Sequence, residues 1–237
     1  MAFADELVSP YSGRRFECGW SDRPQAAANI ADRVMGLARG LGHVDPAFGG
    51  LRPDPGARKF RVGDQGPVVD MAPASLADMI DRRGRFDPPR FPAPVSPSGY
   101  NLLYRNDLRG RDPSFLFVSV RAGRHGPDWP ENRVDVRPTA EHSVWRDPER
   151  GLLVLGAMVD IWEPEWACAY YSTAVLSSED NEIRGRVRPW LAWTAKPLQP
   201  RPSPPHARPY PAPFPLDDAG PPAEVRPWRG GELRIWP

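Results

Sequence analysis

The 237 residues carry 31 Lys+Arg against 30 Asp+Glu, a net charge of +1, which excludes the chain-wide basic field of a non-specific nucleic-acid binder. A chain of this length buries roughly 70% of the surface its unfolded form exposes, enough for one sizeable core. Two distant cysteines, Cys18 and Cys168, exclude a disulfide scaffold and a paired-ligand zinc site, and no run of about 18 apolar residues is present to cross a membrane.

The first residues show no basic segment followed by an apolar one, so no signal peptide is expected and the protein is read as cytoplasmic. Arg15–Trp20 alternates polar with apolar and predicts a strand with Phe16, Cys18 and Trp20 on one face. Ser21 or Asp22 is the expected N-cap of the following helix, with Pro24 in its first turn. Ile30, Val34, Leu37, Ala38 and Leu41 recur at helical spacing and predict about five turns ending at Gly42. Asp32, Arg33 and Arg39 are expected on or near its wet side.

Asp45-Pro46-Ala47-Phe48-Gly49-Gly50 reads as a turn. A second helix is expected from about Pro73 to Arg83, striped by Leu76, Met79 and Ile80 and stopped by Gly84. Residues 86–98 form a proline-rich loop, after which Tyr100–Tyr104 and Ser114–Val120 read as neighbouring strands, with a third around Val134 and Val136. Asp147-Pro148-Glu149 combines a capping carboxylate, a first-turn proline and an early acid. That start favours helix for the apolar run Leu152–Val159, which would otherwise suit a buried strand.

Trp162-Glu163-Pro164-Glu165-Trp166 follows. Its proline lacks an N–H and disfavours helix in the residue before it, so the segment reads as a sharp corner with two indoles beside two carboxylates. Three uses are open to it: a structural corner, a recognition surface, or a carboxylate pair for acid–base work. Ala167–Tyr171 and Trp190–Thr194 read as strands on either side of an acidic turn at Ser177–Glu182. Twelve of the 32 prolines fall between Pro197 and Pro227, predicting an extended surface segment there, and Gly231–Trp236 alternates as a strand that returns to the sheet. Helices interleaved with strands early and strands grouped late predict a single α+β domain: a mainly antiparallel sheet with two to three packed helices.

The chemistry-bearing motifs are few. No glycine-rich phosphate loop, nucleophile elbow or zinc-protease histidine pair is present, and His43, His125, His142 and His206 are scattered. No catalytic, cofactor-binding or metal-ligating set is therefore assigned.

Four segments together resemble the Immunity protein 52 family of bacterial polymorphic toxin systems. They are Gly19-Trp20-Ser21-Asp22-Arg23-Pro24 leading into the long helix, Val44-Asp45-Pro46-Ala47-Phe48 closing it, Trp162-Glu163-Pro164-Glu165-Trp166-Ala167, and Trp190-Leu191-Ala192-Trp193. Their shared order over about residues 14 to 194 carries the resemblance. It implies a non-enzymatic inhibitor, without cofactor, that binds a toxin domain encoded nearby, of the restriction-endonuclease fold and with nuclease activity. Neither nucleic acid nor membrane would be a direct partner, and no residue pattern specifies an oligomeric state. A basic nuclease cleft suits an acidic, aromatic-rimmed surface. That places the expected toxin contacts at Trp162, Glu163, Glu165 and Trp166, and at Glu179, Asp180 and Glu182 in the acidic turn. Two rivals stand beside this reading: a small hydrolase using Glu163 and Glu165, and a structural, phage-derived assembly protein suited to proline-rich wrapping.

Overall fold

Among the described residues, nine strands hydrogen-bond side by side in one antiparallel sheet, and helices pack on one of its faces. The computed structural model describes residues 12–21, 23–54, 66–85, 98–108, 112–125, 132–173, 175–176, 183–184, 187–195 and 220–237. In chain order the elements are β1 (Ser12–Trp20), α1 (Ala27–Val44), the single turn α2 (Pro46–Gly49), β2 (Arg52–Pro53) and α3 (Pro73–Met79), which widens into a π-turn over Ile80–Gly84. β3 (Tyr100–Arg105), β4 (Leu116–Ala122) and β5 (Asn132–Pro138) precede α4 (Pro148–Trp162). Then come β6 (Trp166–Thr173), the short pair β7 (Val175–Leu176) and β8 (Ile183–Arg184), β9 (Val187–Thr194), β10 (Glu224–Trp228) and β11 (Gly231–Ile235). The sheet order is β10-β11-β9-β6-β1-β5-β4-β3-β2, with β7–β8 a separate ribbon. The expected α+β class and antiparallel sheet are what the chain forms.

The sheet's period of two places Phe16, Cys18, Val134, Val136, Ala167 and Ala169 on the helix side, where they meet Ile30, Val34, Leu41, Val154, Met158 and Trp162. A smaller apolar cluster, Trp166, Cys168, Tyr170, Ala192 and Trp236, lies on the opposite face. That second cluster explains a departure from the simple alternating reading of β1. Arg15 and Glu17, the polar half of the pattern, are as buried as the apolar half.

Both ends of α1 differ from expectation. Its N-cap is Ala26, which makes no side-chain cap bond, while Ser21 is drawn instead to Glu165. At the other end the helix runs through Gly42 to Val44. Gly42 lies in close contact with Gly49, since an added Cβ would meet the Gly49 Cα at 3.2 Å, so its role is to let α2 fold back closely. The expected turn at Asp45–Gly50 tightens into that helical turn, with the Asp45 carboxylate accepting from the Ala47 N–H at 2.8 Å.

α4 begins as its sequence demands: the Asp147 side chain accepts from the N–H groups of Glu149 and Arg150, and Pro148 opens the first turn. The run Leu152–Val159 is helical. β10 and β11 join through Arg229 and Gly230, whose φ values of 47° and 73° are those of a tight hairpin turn, and β11 returns to pair with β9. Pro227 sits in β10, the edge strand, where a missing N–H is tolerated. Of the proline-rich segment, residues 197–219 lie outside the described residues.

Candidate functional site

The tryptophan corner is built where α4 turns into β6. Trp162 is the last helical residue and Glu163 adopts a left-handed backbone, φ 47°, that caps the helix. A helix end leaves carbonyls without partners, and here two arginines from the start of the chain supply them. Arg33 donates to the Ile161 carbonyl, and Arg23 to the carbonyls of Trp162 and Glu163, both at 2.8 Å. The Arg33 guanidinium also holds the Glu163 carboxylate at 2.8 Å, which keeps that carboxyl below its ordinary pKa.

Glu165 is held elsewhere. Its carboxylate accepts from the Ser21 hydroxyl and from the Ser21 N–H at 3.2 Å, and its backbone joins Gly19 and Ala195. Trp162 is fully buried and stacked on Trp20, and Trp166 is buried against Gly19. A depression of about 530 Å³ beside the corner is lined by Arg23, Asp32, Arg33, Asp160 and Glu163, but not by Glu165. The two carboxylates that the hydrolase reading pairs are therefore engaged separately, one by Arg33 and one by Ser21.

Of the expected toxin contacts, the two indoles belong to the buried interior, Glu165 is half-buried, and Glu163 presents a side chain 69% exposed. Glu179, Asp180 and Glu182 lie outside the described residues.

His142 and Asp45 form a second polar junction. The buried His142 ring lies 2.9 Å from the Asp45 carboxylate through Nε2, and its Nδ1 accepts from the Val144 N–H at 3.1 Å. Nε2 therefore carries the proton given to Asp45. Burial pushes the Asp45 carboxyl up, but the bonds from His142, the Ala47 N–H and Ser114 outweigh it and leave the pKa lowered. His125 touches the Gly123 carbonyl at 3.2 Å; His206 lies outside the described residues. Among the described residues no group of His, Cys, Asp and Glu is placed to hold a metal ion.

On the face away from the helices, Glu17 accepts from the Tyr170 hydroxyl and pairs with Arg133, while Asp135 holds Arg137 and lies 3.6 Å from Arg15. Burial drives the Glu17 carboxyl above its ordinary pKa against the pull of Arg133. Sequence reasoning overlooked this face. Its signal is present in the off-phase positions of three strands, where Arg105, Arg121, Arg133 and Arg137 alternate with core residues.

No family model matches the chain, and no curated protein matches it. Among solved structures it is similar to the Pseudomonas aeruginosa T6SS protein PA0821, at 16% identity and a TM-score of 0.37, over 67% of this chain. The match spans 40% of that neighbour's length. At that score the likeness carries no argument about function. The resemblance to Immunity protein 52 thus rests on its motifs alone.

Proposed function

We propose that the chain is an immunity protein that binds a cognate toxin domain encoded nearby and neutralises it stoichiometrically, the toxin being a nuclease of the restriction-endonuclease fold. One observation carries the reading. Three of the motifs behind the resemblance, far apart in sequence, form a single junction in space. Trp20 stacks on Trp162 with centroids 5.2 Å apart, the Glu165 N–H donates to the Gly19 carbonyl at 2.9 Å, and Ala167 pairs with Trp193 across β6 and β9. Motifs that share a family's order and also share one packed junction support a common scaffold better than any one of them does. The Asp45-Pro46 motif has its own structural use, capping α2.

Co-expression tests the reading. The toxin domain encoded beside this gene is induced in a sensitive bacterium with and without this chain. Rescue with a recoverable complex is expected. Continued killing, with this chain soluble and uncomplexed, overturns it.

A further inference from the structure

We infer that the outer face of β3, β4 and β5 is the surface that receives the partner, and that it takes an acidic, carboxylate-bearing segment of the toxin. This rests on the immunity reading for the partner's identity, while the charge that selects an acidic segment belongs to the sheet itself. The outward positions of the three strands are Asn101, Leu103 and Arg105; Phe117, Ser119 and Arg121; Arg133, Asp135 and Arg137. Four arginines thus stand against one aspartate.

The register sharpens the imbalance. Arg121 lies directly opposite Arg133, a like-charge cross-strand pair of the kind that destabilises a sheet. Arg105 and Arg137 flank Phe117 from its two neighbouring strands. Glu17 draws Arg133, Asp135 draws Arg137, and Asp54 lies 3.5 Å from Arg105. Arg121 has no ion-pair partner among the described residues. An anionic partner would relieve the repulsion that the free chain carries.

The face also has relief. A depression of about 800 Å³ is walled by Phe115, Phe117, Arg137 and Thr139; the Arg137 fork there is engaged by Asp135, and the guanidinium suited to bidentate pairing with an entering carboxylate is that of Arg121, four residues along β4 from Phe117. A polypeptide fits better than a nucleic acid. Arg137 already lies over the Phe117 ring at 5.8 Å, taking the face on which a base would stack. The acidic corner is the weaker surface, because both of its indoles, Trp162 and Trp166, are buried and Arg33 holds the Glu163 carboxylate.

The test is calorimetric titration of the full chain with the purified toxin domain encoded beside it, inactivated at its active site. Separate titrations use poly-L-glutamate and a 20-residue oligo-dT. Arg121→Gln is expected to weaken toxin binding at least tenfold while leaving the thermal midpoint unchanged or raised. Arg105→Gln, a second variant, is expected to weaken it several-fold, and Glu163→Gln to leave it within twofold. Unchanged affinity in both arginine variants overturns the inference while the immunity reading stands. Should the wild-type chain not bind the toxin, the immunity reading falls and poly-L-glutamate decides the surface. Salt-sensitive binding lost in Arg121→Gln supports an acidic partner; no binding, or tighter binding of oligo-dT, overturns it.

Discussion

The ring of Trp20 lies on the ring of Trp162, their planes 21° from parallel, so the last residue of β1 and the last of α4 share one contact. Neither ring is more than 1% exposed. The chain therefore ties its first described strand to its fourth helix through aromatic stacking at the centre of the tryptophan corner.

Removing that ring should be expensive. Trp162→Ala is expected to destabilise by about 3–5 kcal/mol, the range for emptying a buried aromatic site. Trp162→Phe should retain much of the packing. Urea unfolding checks both, and a loss below about 1 kcal/mol in the alanine variant would contradict the assigned burial.

Gly19 makes the same corner possible from the other strand. An added Cβ would sit 2.5 Å from the Trp166 ring, which is itself buried and has little room to move. Gly19→Ala is expected to cost about 1–3 kcal/mol through overpacking. Combining it with Trp166→Leu, which shrinks the opposing group, should recover part of that loss. Additive losses in the double variant would show that the clash is not the cause.

Asp45 supplies a pH dependence with a definite sign. Its carboxyl is lowered in the folded chain, so the contribution is fully present above the unfolded value of about 3.9 and is lost as pH falls through the folded value. Asp45→Asn lacks this component. The gap in urea midpoint between wild type and variant should therefore be wide above the ordinary carboxylate range and close as pH falls through the lowered value of the folded chain. A gap that stays constant over that window would place the stabilisation elsewhere.

The thiols should be inert in the folded protein. Burial raises both Cys18 and Cys168 above the ordinary thiol range, and their strand register puts them on opposite faces of the sheet. Ellman's reagent should react slowly with native protein and reach two equivalents once guanidinium unfolds it. Rapid reaction of either thiol without denaturant would contradict the packing around it.

Arg33 shows how far local reading reaches. Helical spacing set it on or near the wet side of α1, and its side chain is 23% exposed, but it also reaches the Ile161 carbonyl and Glu163 on another helix. Arg33→Ala is expected to cost about 1–3 kcal/mol, since hydrogen bonds from a charged donor to a helix end are lost together. Thermal unfolding reads this directly. A shift no larger than that of the exposed Arg39→Ala would reduce the contact to a surface pair.

The elements legible in the chain were those whose cause is local. The apolar stripe Ile30–Leu41, the cap and proline at Asp147-Pro148, and the alternation of β3, β4 and β11 each arise from residues within a few positions of one another. Tertiary structure alone decided what those elements do to one another. Strand order set β1 between β5 and β6, which buries Arg15 and Glu17 and makes its polar phase an interior one. It took Ser21 from its expected capping role to hold Glu165, gathered Trp20, Trp162 and Trp166 into one corner, and lined up arginines from β3, β4 and β5 on a single face. Local periodicity states which residues share a side of an element; only the pairing of distant segments determines which sides meet, and there the charges and rings acquire their partners.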